Sequence, residues 1–122
     1  MEKKFNADLR SKEVLALCNK IYHGDKDESE KSNDYIRWFI VDETNKCFHG
    51  GVPIYTEYDI RLDIYSTKNF RLISETVIKT LENKGYTVIE NENDVFKVSF
   101  TKVYNKTLIF RFNKYNILKQ EW

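Results

Sequence analysis

The sequence predicts an α+β fold: a largely antiparallel sheet of about five strands carrying two helices on one face, in the order α-β-β-α-β-β-β. Three observations predict it. YTEYDIRLDIYS, residues 55 to 66, alternates with period two, so Tyr58, Ile60, Leu62 and Ile64 form an apolar face and Glu57, Asp59, Arg61 and Asp63 a charged one. After it, Phe70, Ile73, Val77 and Leu81 recur at helical spacing and need a sheet to cover. Third, the 122 residues, 41% hydrophobic and 15% aromatic, suit a single domain over 1–122 that buries about two thirds of its unfolded surface.

The elements follow in order. Leu9, Val14, Leu17, Cys18 and Ile21 can share one face of a first helix over about 5 to 22, with Gly24 as its stop. HGDKDESEKSND, 23 to 34, has five acidic and two basic residues and no apolar anchor, which reads as a mobile surface loop. YIRWFIV, 35 to 41, is a strand with Ile36, Trp38 and Ile40 on one face. DETNKCFHGGVP then breaks the pattern, so the hairpin to the 54 to 65 strand is expected to have a long, flexible tip. The second helix runs from about 67 to 84, with Gly85 where a left-handed cap belongs. Tyr86 to Glu90 reads as a short strand and NEND as a turn. The run from Val95 to Phe112 reads as two strands hinged near Tyr104, Asn105 and Lys106. KYNILKQEW, from 114 to 122, is either a docked terminal segment or an arm seeking a partner.

Charge and composition limit the function classes. Twenty basic against nineteen acidic residues give a formal charge of +1, which supplies no field for nucleic acid or an anionic membrane. No apolar run approaches a membrane span of roughly 18 residues, and MEKKFNADLRSKE lacks the apolar stretch of a signal peptide; a soluble, intracellular protein is the expectation. Two cysteines, one in a helical pattern and one in a polar connector, point to reduced thiols. The charge is uneven along the chain. Lys97, Lys102, Lys106, Arg111, Lys114 and Lys119 face only Glu121 in the last 26 residues, while the 23 to 34 loop is acidic. Opposite patches on one small domain favour head-to-tail contact between copies, although a harmless asymmetry fits equally well.

Catalytic chemistry is sought and mostly absent. Glu57, Asp59 and Asp63 make the best candidate metal row, but strand neighbours at i and i+2 are about 7 Å apart. Arg61 also stands between the two aspartates. The downstream E-x-K, Glu82-Asn83-Lys84, falls at a helix end, whereas restriction-type nucleases carry it on a strand. Cys18, His23, Cys47 and His49 lack the spacing of structural zinc sites, and His49-Gly50-Gly51 has no nucleophile elbow to serve. No phosphate loop or dinucleotide fingerprint occurs, and no cofactor is expected.

The second half of the chain resembles a known family. LDIYS at 62 to 66, a helix ending in LENKGY at 81 to 86, NDVF at 93 to 96 and VYNKTLIFRF at 103 to 112 resemble the tail-completion or tail-terminator (head-tail joining) proteins of tailed bacteriophages and their prophage relatives. The resemblance covers roughly residues 35 to 112 and rests on the order of elements. It implies a small α+β domain, with no catalytic residues, that forms a ring, usually a hexamer, at the head-proximal end of the tail tube. Such a ring stops tube polymerisation and offers a surface to the neck. The implied partners are further copies of the chain, the tail tube protein and a neck or connector protein, with no membrane and no sequence-specific nucleic acid. The implied location is a virion tail or phage-tail-like particle assembled in the bacterial cytoplasm.

On that reading the open sheet face meets the next subunit. Glu57, Asp59, Arg61 and Asp63, beside Tyr55 and Tyr65, become interface or lumen residues; Phe48, Ile117, Leu118 and Trp122 are apolar anchors in flexible segments. The alternative is a small metal-dependent nuclease using the carboxylates of the 57 to 63 strand. A third reading is an interaction module that shares the fold by convergence.

Overall fold

The alternation in the 55 to 66 stretch sets the centre of the molecule. In the computed structural model, which describes residues 1–25, 32–98 and 100–115 and Cys47 by its backbone alone, this stretch lies in β3 (Val52–Ser66). β3 is flanked by β2 (Tyr35–His49) and β5 (Thr101–Tyr115), with β1 (Ile21–His23) beyond β2 and β4 (Thr87–Val98) beyond β5. Directly opposed residues share a face, so Ile36↔Ile64, Trp38↔Leu62 and Leu62↔Leu108 stack apolar side chains across three strands. Over them lie α1 (Glu2–Leu9), α2 (Lys12–Leu17) and α3 (Phe70–Glu82), through Phe5, Leu9, Val14, Ile73, Val77 and Leu81, all buried. The fold class is α+β.

Several expectations need correction. The first helix is two: Ser11 N-caps α2, its Oγ accepting from the Val14 N–H at 3.2 Å, and the chain turns at Arg10. The Arg10 guanidinium donates to the Ile21 carbonyl at 3.0 Å. The end of the supposed helix is β1, which runs parallel to β2, so the sheet is mixed, and among the described residues three helices cover it. Gly24, with φ 87, follows β1 and stops no helix.

The flexible tip is also absent from the first hairpin. β2 and β3 stay paired from Tyr35↔Tyr65 to His49↔Val52, and Gly50 and Gly51 (φ 59 and 82) make the tight two-residue turn. Two positive φ values are what a hairpin's right-handed twist demands there. NEND is no turn either, because Asn91 to Asp94 pair with Leu108 to Asn105 inside β4. Nor is there a hinge at Tyr104, Asn105 and Lys106, which lie mid-strand in β5. The reversal comes between Val98 and Thr101, where Phe100 holds a left-handed φ of 70. Gly85 (φ 95) does terminate α3 as expected, with the Tyr86 N–H on the Leu81 carbonyl.

Candidate functional site

Two surfaces remain once the helices have covered one side: the other sheet face, and the hairpin ends. On the sheet face, β3 sends out Tyr55, Glu57, Asp59, Arg61, Asp63 and Tyr65 in alternation with the core residues. This face is less open than its charges suggest. Asp63 is fully buried within its own chain, although an outward strand residue able to oppose a neighbour's charge was expected. Its carboxylate accepts from Arg37 Nε at 3.0 Å, from Arg61 Nε at 3.3 Å and from Thr107 Oγ1 at 2.8 Å. Register explains the cluster, since Arg37 and Thr107 stand directly opposite Asp63 on the two neighbouring strands.

Asp59 and Glu57 are engaged in the same way. Arg111, opposite Asp59, forks onto it through Nε at 2.9 Å and Nη2 at 3.2 Å, and its Nε lies 3.5 Å from Glu57. Lys46 Nζ is 3.9 Å from the other Glu57 oxygen. Arg111, read from the sequence as part of a basic patch, therefore belongs to the carboxylate row. Each carboxylate has its charge offset by a guanidinium or ammonium within the same chain, so a divalent ion would have to displace those contacts. Among the described residues, no three His, Cys, Asp or Glu side chains gather as a metal site needs. Buried Cys18 follows α2, His23 ends β1 stacked 4.1 Å from Trp38, and His49 stands at the far hairpin turn.

Beside the ionic row runs an aromatic one. Tyr22, Tyr35, Tyr65 and Phe96 touch in sequence across the sheet at centroid distances of 6.2, 4.6 and 6.1 Å, and the Arg37 guanidinium lies over Tyr65. Burial pushes the Tyr35 and Tyr65 phenols above the ordinary tyrosine value. At the opposite end of the face Tyr55 packs on Tyr115 at 5.4 Å.

The hairpin ends are different in character. β2–β3 carries Phe48, 61% exposed, and Val52 at one end of the sheet. β4–β5 runs past the end of β3, whose last partner is Ser66↔Tyr104, and beyond that pair the ribbon is only two strands wide. There Val95, Phe96 and Val98 are exposed and Phe100 is 100% exposed. Sequence reasoning singled out Phe48 but missed Phe100, because no glycine marks the second reversal. Ile117, Leu118, Trp122 and most of the acidic loop (26–31) lie outside the described residues. Among the described residues, no helix is long and apolar enough to cross a membrane. Compared with known proteins, the chain matches no protein-family model and no curated sequence.

Proposed function

We propose that the chain is a structural protein of a tailed phage or phage-tail-like particle, forming a ring that caps the head-proximal end of the tail tube. The ring ends tube polymerisation and joins the tail to the neck. One observation carries the reading: apolar side chains stand in water at both hairpin ends, Phe48 and Val52 at one and Val95, Phe96, Val98 and Phe100 at the other. A monomer gains nothing by exposing such side chains, whereas a subunit with neighbours on two sides uses both. The resemblance of residues 35 to 112 to tail-terminator proteins supports the same assignment. The sheet's carboxylates speak for structure over metal chemistry, because Arg37, Arg61 and Arg111 already neutralise them.

The experiment is the mass of the purified full chain in solution, by native mass spectrometry and sedimentation, with and without polymerising tail-tube protein. A ring that shortens the tubes is the expected result. A stable monomer with magnesium- or manganese-dependent nuclease activity, lost in Asp59→Ala, overturns the reading in favour of a small nuclease.

A further inference from the structure

We infer that the distal half of the β4–β5 hairpin of one copy adds to the free outer edge of β2 in the next copy, and that this strand addition closes the ring. The inference rests on the ring reading and names the contact.

Both edges are visible in the pairing. β1 covers only Ile36 to Trp38 of β2, so from Phe39 onward the outer side of β2 has no strand partner among the described residues. β4 is the other edge of the sheet. Proteins guard exposed edges with charges, and the near half of β4 is guarded by Glu90, Glu92 and Asp94. The distal half is not. Val95, Phe96 and Val98 are exposed there around a single charge, Lys97.

Charge decides which edge the ribbon meets. Lys97 stands directly opposite Lys102, a like-charge pair that costs the isolated ribbon stability. Neither lysine has an acidic partner among the described residues. On the free part of β2, Val41 is exposed and Glu43 has no basic partner among the described residues; neighbouring Asp42 accepts from the Glu43 N–H and the Thr44 hydroxyl and is close enough to Arg111 to act on its charge. Lys97 and Lys102 share one face of the ribbon and adjacent Asp42 and Glu43 lie on opposite faces of β2, so the contact sets Lys97 of one copy against Glu43 of the next, with Lys102 one strand behind, while Phe100 and Val41 contribute apolar burial. Pairing β4 with β4 would instead bring four lysines together. Because the two edges lie on opposite sides of the sheet, the contact is head-to-tail, the kind that closes into rings.

Charge reversal tests it on the full chain, with circular dichroism verifying that each variant is folded. Lys97→Glu with Lys102→Glu, and separately Glu43→Lys, should each weaken self-association by about tenfold or more in sedimentation. The three changes combined in one chain should restore it to within roughly threefold of the parent. If the parent forms a ring and the separate variants assemble equally well, or the combined chain stays monomeric, the edge contact is wrong and the ring reading survives. If the parent is monomeric even with tube protein present, the ring reading itself falls and takes the contact with it.

Discussion

Between Glu57 and Ile64 one strand buries two faces by opposite means. On the helix side Ile60, Leu62 and Ile64 are fully buried among aliphatic and aromatic neighbours, and the driving force is removal of apolar area from water. On the other side Asp63 is equally buried, held by two guanidiniums and a hydroxyl. The first kind of burial is non-directional and tolerates any side chain of similar volume. Both depend on register, since a one-residue slip would turn Ile60, Leu62 and Ile64 to the other face, but the ionic cluster also needs particular partners, Arg37 and Thr107, opposite Asp63. The apolar face supplies most of the stability, and the ionic face adds specific partners to the pairing of β2, β3 and β5.

The largest expected effect breaks the ionic face outright. Asp63→Lys puts an ammonium between Arg37 and Arg61 where no water reaches the carboxylate now, and a loss of more than about 4 kcal/mol is expected. Against a domain stability of about 5–15 kcal/mol, that removes roughly a quarter to four fifths of the margin and lowers the melting temperature well below the parent's. A thermal melt followed by circular dichroism checks it. A cooperative transition at the parent temperature would mean that Asp63 is free in the monomer and available for a subunit contact.

Next comes the apolar face. Leu62→Ala, at a fully buried position, should cost about 3 kcal/mol through lost transfer energy and the cavity left under the helices. Asp63→Asn, of almost unchanged shape, should cost less, about 2 kcal/mol, because the Arg37 and Arg61 head groups reach water and can partly resolvate. Urea midpoints for the two variants give the ranking directly. A sharper test replaces the whole cluster: Asp63→Leu with Arg37→Met, Arg61→Met and Thr107→Val should recover stability relative to Asp63→Asn, since no charge is left stranded. Recovery without a unique sheet, seen as poor dispersion of amide resonances, would establish that the ions act on register more than on stability.

The same division explains what the sequence revealed. The apolar side of β3, the stripe of α3 and the Gly85 cap were legible because burial against one partner face leaves a strict period in the residues. Strands that face water on both sides leave none. DETNKC and NEND look like loops because the described side chains there, in β2 and β4, are largely exposed, where polar groups cost little. Gly50-Gly51 was the available signal for a tight turn, and Ser11 three residues before Val14 for the helix break. The ionic cluster was half legible: Glu57, Asp59 and Asp63 announced themselves, but Arg37, Thr107 and Arg111 become their partners only through register, which a period in one segment does not contain. The reversal at Phe100 had no signal, since a left-handed phenylalanine is uncommon.

The smallest expected effect tests a polar group set into the apolar face. Tyr86 is buried beside Phe5 and Phe112, and its hydroxyl donates to Asp8 at 2.9 Å. Burial first, then the Asp8 carboxylate, pushes its phenol well above the ordinary value. The unfolded chain therefore releases this proton first, as pH rises through about 10, while the folded chain keeps it. Because the folded state then binds more protons, stability is full below about pH 10 and falls above it, by up to about 1.4 kcal/mol per pH unit for such a group. Tyr58, Tyr35 and Tyr65 are shifted upward by burial too, so the parent's alkaline loss is a sum over both faces. Tyr86→Phe should cost about 1 kcal/mol at neutral pH through the lost hydrogen bond. It should also lessen the alkaline slope, so that parent and variant converge as pH climbs. Urea midpoints across that range measure the convergence. Parallel curves would place the alkaline loss with Tyr58, Tyr35 and Tyr65, and the corresponding Phe variant of one of them would then flatten it.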